Sequence, residues 1–266
     1  MKTTGRPKRQ EAKMATREME FTLPIGYANG DGALRRTGAL RKMTGREEAI
    51  LADRSNQHNG GKLVTELLHS CVTQFEGEQK LSKQDVANWY SADRNYVLIR
   101  LRSFTFGPDL PATYTCAACG EKHEVIENLD ELPVRSLSPE ETLEDIVVEL
   151  EDGYWDKEDC HTSITLTLPR GIDEAAVAPM LRKNASMGKN ALLARCLKKV
   201  GDMPQHRVEA LGPRLFSELT LTDRRLIDKA LNRAAPGVDL MRDRECDACG
   251  ADIRANLDMT HFLALE

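Results

Sequence analysis

Cys116-Ala117-Ala118-Cys119-Gly120 and Cys246-Asp247-Ala248-Cys249-Gly250 decide how this chain is read. Each is a C-x-x-C-G turn, and 130 residues separate them (246 − 116). The same offset (223 − 93) joins Tyr90-Ser91-Ala92-Asp93-Arg94 to Leu221-Thr222-Asp223-Arg224-Arg225. Further upstream, Leu67-Leu68-His69-Ser70-Cys71-Val72 matches Leu192-Leu193-Ala194-Arg195-Cys196-Leu197, and Phe21-Thr22-Leu23-Pro24-Ile25-Gly26 matches Leu166-Thr167-Leu168-Pro169-Arg170-Gly171. Four anchors in one order argue that the chain is written twice.

A C-x-x-C spacing lets two thiolates reach one ion at about 2.3 Å, but it fills only half of a tetrahedral zinc site. Cys116, Cys119, Cys246 and Cys249 together would close a four-cysteine zinc ribbon. All positions would then be filled, so the Zn2+ would be structural and its binding energy would add to folding. One zinc per knuckle, an iron–sulfur cluster, or metal-free relics are the alternatives. His123 follows Cys119 by four residues, yet its counterpart Ile253 cannot ligate. Cys71 and Cys196 read as buried helix-face thiols, and Cys160-His161 as too few ligands for a site.

The bulk numbers narrow the class. At 266 residues the chain has room for two modules. A net charge of −5 counts against a generic nucleic-acid binder. No apolar run suggests a membrane span or signal peptide. Seven cysteines, four of them in paired turns, suit a reducing compartment such as a cytoplasm. No phosphate-binding glycine loop, H-E-x-x-H or G-x-S-x-G motif argues for an enzyme.

The expected fold class is α+β, with two tandem, internally duplicated, mainly helical modules. Each has short β-hairpins and a C-terminal zinc-knuckle hairpin. Residues 1–18 read as a disordered basic arm, 19–133 as the first repeat, 134–162 as an acidic connector with a strand, and 163–266 as the second repeat. Asn29-Gly30-Asp31-Gly32 marks a tight turn. Thr44 and Glu47 form a capping-box pattern, and Ser82 with Asp85 opens another helix. Helices are expected over 185–200, 207–216 and 222–234. Ser91 and Thr222 are expected to cap the last long helix of each copy, with Asp93 and Asp223 either facing the helix dipole or meeting a charged partner. The first copy is expected to carry about 20 extra residues around Ala52–Gly61, where a loop grows at small entropic cost.

Phe21-Thr22-Leu23-Pro24-Ile25-Gly26-Tyr27, Asp31-Gly32 and Arg41-Lys42-Met43-Thr44-Gly45-Arg46-Glu47-Glu48 resemble the opening of phage tail baseplate proteins. The pattern continues through Asp93-Arg94, Leu101-Arg102-Ser103-Phe104-Thr105-Phe106-Gly107 and Cys116-x-x-Cys119-Gly120-Glu121. It is similar to the T-even-type baseplate hub assembly family and its relatives in contractile injection systems. In the second copy Ala234-Ala235-Pro236-Gly237 replaces Phe104-Thr105-Phe106-Gly107. The resemblance implies a non-enzymatic hub component or assembly chaperone whose partners are other tail or baseplate proteins (hub, tube or wedge). It would sit in the host cytoplasm during assembly and in the virion tail if retained. A zinc-ribbon regulator that contacts nucleic acid through the basic arm is the rival reading.

Overall fold

The computed structural model describes residues 18–28, 33–77, 81–138 and 140–258. The basic arm, apart from Glu18, and the Asn29–Gly32 turn fall outside the described residues. The chain is a mixture of helices and strands, as α+β requires. Strands β1 (Glu18–Ala28) and β2 (Leu34–Arg41) form an antiparallel pair. Helices α1 (Gly45–Ala52), α2 (Arg54–Gln57) and α3 (Gly60–Cys71) follow, and β3 (Val72–Phe75) returns to complete a sheet in the order β1-β2-β3. Helices α4 (Lys83–Asn88) and α5 (Ser91–Phe106) lead into the hairpin of β4 (Asp109–Thr115) and β5 (Lys122–Asn128). A 3-10 turn (Leu129–Glu131) and β6 (Val134–Arg135) close the first half.

The second half follows a similar course, with two helices instead of three inside its sheet, three instead of two after it, and its short strand before rather than after the last hairpin. Strands β7 (Ile146–Asp156) and β8 (Asp159–Leu166) precede α6 (Gly171–Lys183) and α7 (Ala185–Cys196), and β9 (Leu197–Val200) completes a sheet in the order β7-β8-β9. Then come α8 (Gln205–Leu211), α9 (Pro213–Glu218), α10 (Leu221–Ala234), β10 (Gly237–Val238), and the hairpin of β11 (Met241–Glu245) and β12 (Asp252–Asn256). β10 pairs with β6, so a strand of one half is hydrogen-bonded to the other.

The strand expected in the connector is present as β7, and its ladder to β8 spans residue 162. Other expectations need correction. The 20-residue insertion disappears. Arg41 to Val72 and Leu166 to Leu197, the last residue of one strand and the first of the next, are each 31 residues apart (72 − 41, 197 − 166). The match of Phe21–Gly26 to Leu166–Gly171 pairs a leading strand with the end of a returning one, and that mismatch produced the apparent gap. Leu197–Val200 is a strand rather than a helix end, and Gly212-Pro213 divides the helix expected over 207–216. Helix α6 was not anticipated at all.

The caps follow their chemistry more closely. Thr44 and Glu47 form the capping box of α1, and Ser82 and Asp85 form that of α4. Neither Ser91 nor Thr222 caps a helix. Tyr90 precedes α5 with no side-chain cap, and Thr220 caps α10 by accepting from the Asp223 N–H at 3.2 Å.

Each sheet packs on the helices of its own half. In the first, Trp89 is fully buried, 6.1 Å from the Phe21 ring and 5.1 Å from Phe75. Such aromatic pairs add about 0.5–1.5 kcal/mol each beyond the area they bury. In the second, Val148, Ile164, Leu166, Val200, Phe216 and Ile227 make an aliphatic-rich core. The halves meet where α3 crosses α6. A Cβ on Gly61 would lie 2.5 Å from the Ala175 nitrogen, so only glycine lets these backbones approach. Arg94, fully buried, donates from Nη2 to the Gly61 carbonyl at 2.6 Å within the same junction.

Candidate metal centre

The four cysteines arrive from the turns of two hairpins built to one plan. In the first, the Gly120 N–H donates to the Cys116 carbonyl at 2.9 Å and the Cys116 N–H to the Glu121 carbonyl at 2.8 Å. In the second, the Gly250 N–H donates to the Cys246 carbonyl at 2.8 Å and the Cys246 N–H to the Ala251 carbonyl at 2.9 Å. Gly120 and Gly250 take φ of +78° and +69°, a region that costs other residues a Cβ clash. The glycine after each second cysteine is therefore a requirement of the turn.

These turns bring Cys116, Cys119, Cys246 and Cys249 together, with one ligand atom from each within 4.8 Å of every other. Cys116 Sγ lies 3.7 Å from Cys249 Sγ, and Cys119 Sγ 3.6 Å from Cys246 Sγ. A tetrahedron with bonds of about 2.3 Å has edges of about 3.8 Å. Both of these contacts run between the hairpins, so the four sulfurs form one cluster shared by the two turns. The cluster could hold a metal ion, and all four sulfurs belong to one chain. Cys116 and Cys246 are buried, whereas Cys119 and Cys249 face outward.

The electrostatics around the sulfurs are uneven. Burial pushes the Cys246 thiol up, but the amides of Cys249 and Ala248, His123 and the Cys249 side chain outweigh it and bring the thiol down to about 6. His123 Nε2 sits 3.3 Å from the Cys246 sulfur, and its Nδ1 3.6 Å from Asp247 Oδ2. The histidine of the first knuckle thus reaches across to a cysteine of the second, outside the set of four. Outer contacts of this kind orient metal ligands. Ile253, its counterpart, is buried in the apolar cluster beneath the hairpins.

Beneath the sulfurs, Glu127 joins the hairpins. Its Oε1 accepts from Arg244 Nη2 at 2.6 Å and from Tyr114 Oη at 3.0 Å. Ile99 of α5, Leu110, Tyr114, Leu129, Leu132 and Leu257 pack around them. The remaining cysteines stay apart from the centre. Cys71 and Cys196 end α3 and α7, and burial pushes each thiol up to about 12. Cys160 is exposed and packs against Gly153.

Asp93 and Asp223 are fully buried and pair with backbone rather than with a charged partner. Asp93 accepts from the Ile25 N–H at 2.8 Å and the Gly26 N–H at 3.0 Å. Asp223 accepts from the Glu151 N–H at 2.6 Å and the Gly153 N–H at 3.1 Å. In each sheet the register of the leading hairpin slips at this place, between Thr22 and Tyr27 and between Glu149 and Tyr154. A bulge takes amides out of the ladder, and the carboxylate supplies their acceptors. Burial pushes Asp93 up to about 6 against the pull of its two amides. The following tyrosines also match: Tyr27 donates to Asp85 and Tyr154 to Glu218, each at 3.0 Å. Sequence reasoning missed Gly26-Tyr27 and Gly153-Tyr154, whose offset of 127 (153 − 26) was readable.

Two hairpins whose first cysteines stand 130 residues apart (246 − 116) meet at a cluster able to hold a metal ion, and so join the halves. The chain belongs to the T4 bacteriophage base plate protein family, whose model matches residues 14–264. No curated protein and no solved structure matches it. Among the described residues no helix is long and apolar enough to cross a membrane.

Proposed function

We propose that the chain is a non-enzymatic structural adaptor or assembly factor of the phage baseplate hub. An internal duplication is tied together by one structural zinc on Cys116, Cys119, Cys246 and Cys249. The observation that carries this reading is the pairing of sulfurs between hairpins, at separations close to a tetrahedral edge, in a member of a base plate family. Four thiolates select zinc among common divalent ions and leave no position for water or substrate. The ion would supply a crosslink between segments far apart in sequence, and Glu127, Arg244 and the apolar cluster beneath would hold the hairpins ready for it. Duplication is supported by the matched clamps at Asp93 and Asp223 as well as by the knuckles. Its partners would be other tail or baseplate proteins, met during assembly in the host cytoplasm. Residues 1–18 would contribute a basic arm that orders on such a partner.

The test combines zinc content, native mass and partner capture for the full-length protein. One zinc per monomer together with co-purifying tail proteins supports the proposal. Two zincs or none would break the shared site. Steeply salt-dependent, sequence-specific DNA binding without tail proteins would instead favour a nucleic-acid regulator. Removing residues 1–18 should leave zinc content and fold intact while weakening partner capture, and undiminished capture would remove the arm from the account.

A further inference from the structure

A groove of about 540 Å³ runs between the edge strand β7 and helix α10, walled by Ile146, Val147 and Val148 on one side and Leu226, Lys229, Ala230 and Arg233 on the other. Val147 is 60% exposed there, and no strand covers β7 on this edge among the described residues. The first half has the corresponding place filled. After β5 the chain turns back on α5, burying Leu129 and Leu132 in the cluster that contains Ile99. Asp130 between them accepts from Arg100 Nη1 at 2.6 Å and from Ser103 Oγ at 2.7 Å.

The 130-residue offset that carries Cys116 onto Cys246 carries Ile99, Arg100 and Ser103 onto Lys229, Ala230 and Arg233. All three lie on the wall of the groove. It also carries Leu129 and Leu132 onto Met259 and Phe262, the same apolar spacing, in a segment outside the described residues. We propose that the groove between β7 and α10 is the docking site of this chain's own segment Met259–Glu266, with Met259 and Phe262 against α10.

Reach and charge both favour this occupant. The Leu257 N–H donates to the Leu240 carbonyl at 2.8 Å, which fixes where the segment starts. Leu240 is three residues from Gly237, and Gly237 pairs with Arg135 on the rim of the groove. Three extended residues span about 10 Å and eight span about 27 Å, so the segment is long enough. Arg135, Lys229 and Arg233 outnumber Glu149 around the groove, which suits Glu266. The aliphatic stems of Lys229 and Arg233 would cover Phe262 where Ile99 covers Leu132 in the first half.

The proposal rests on the duplication argued above, and its test does not use zinc or partner binding. Full-length protein with Phe262→p-benzoylphenylalanine, irradiated as an equal mixture of light and heavy isotopic chains, should crosslink within one chain to residues 146–150 or 226–233. Crosslinks elsewhere, none above background, or light–heavy crosslinks alone would overturn it, the last by assigning the groove to a second copy. In parallel, full-length Phe262→Asp should exchange amide hydrogens at 226–233 faster by about fivefold, as expected when a local cover is lost. Unchanged exchange there would also overturn the proposal.

Discussion

In the first half Asp93 holds the bulge at Ile25 and Gly26, and in the second Asp223 holds the bulge at Glu151 and Gly153. Around these matched clamps the packing diverges. Trp89, Phe21 and Phe75 stack in one core, while Leu219, Val148 and Val200 stand at the corresponding places in the other. A carboxylate that feeds specific backbone amides has no equal substitute, because each buried amide left unsatisfied costs about 1–3 kcal/mol. An apolar side chain has many substitutes if volume and pattern are kept. On the proposed duplication, the two modules would have kept their backbone-directed polar contacts and repacked their cores.

The largest test of the comparison lies where the halves stop being separable. If one ion joins both knuckles, Cys116→Ser and Cys246→Ser should each abolish stoichiometric zinc and destabilise the chain to similar extents. Structural zinc sites involve on the order of 10 kcal/mol of apparent binding free energy. Zinc content and chemical denaturation measure both. A variant that lost its own knuckle while retaining one zinc on the other would break the shared centre.

Next in size is a pair of glycines that occupy the same position and meet opposite surroundings. Gly45 and Gly171 each begin the first helix after a sheet. A Cβ on Gly171 would lie 1.1 Å from Arg94 Nη1, whereas one on Gly45 meets nothing nearer than Glu48 Oε2 at 3.9 Å. Arg94 is fully buried and cannot swing clear. Gly171→Ala should cost about 3 kcal/mol by overpacking, and Gly45→Ala should be neutral within about 0.5 kcal/mol. Equal effects in urea denaturation would mean that Arg94 does not hold the junction.

Glu47 and Asp173 sharpen the comparison through pH. Both occupy the third position of a helix and reach the residue before a buried cysteine. Glu47 bonds Ser70 and also Arg41 Nη2 at 2.7 Å, and Asp173 bonds Arg195 Nε at 2.8 Å. The Glu47 side chain is fully buried, whereas that of Asp173 keeps 15% of its exposure. Burial pushes Glu47 up, but Arg41, Ser70 and Thr44 together overcome this and hold it near 2. A carboxyl depressed in the folded state contributes stability that is complete above its unfolded value of about 4.3 and declines as pH falls towards 2. Glu47→Gln should therefore flatten the acid limb between about pH 4.5 and 2. Thermal melts across that range measure this, and an acid limb unchanged in Glu47→Gln would remove Glu47 from it.

What could be read from the sequence follows from where physics leaves a side-chain mark. The knuckles were legible because two thiols and a glycine at fixed spacing have few other uses. Capping at Thr44 and Ser82 was legible because the reciprocal bond needs an acid three residues on. The role of Asp93 was hidden, since its partners are amides of Ile25 and Gly26, and an amide leaves no mark in the sequence. Strands β3 and β9 escaped notice because each follows a helix without a breaker and prolongs its apolar run. Pro179 within α6 disguised that helix. The Phe21 and Leu166 segments share a strand-like alternation that any half-buried strand would show, so they aligned two different strands.

The smallest expected effect comes from the hydroxyls beside the bulges. Tyr27 and Tyr154 each follow a bulge glycine and donate to a carboxylate on the helix before the long one. Asp85 is also held by the Ser82 amide and hydroxyl, and Glu218 by Arg214 on an exposed face. Tyr27→Phe and Tyr154→Phe should each cost about 1 kcal/mol, the net worth of one such bond. Their alkaline behaviour separates them from simple packing changes. Burial, followed by the neighbouring Glu218, raises Tyr154 to about 12, and burial with Asp85 raises Tyr27. A phenol raised in the folded state contributes stability that is complete below its unfolded value of about 10 and is lost as pH rises through the folded one. The difference in stability between wild type and Tyr154→Phe should therefore shrink from pH 10 to 12. A constant difference across that range would place the hydroxyl's contribution in packing rather than in its bond to Glu218.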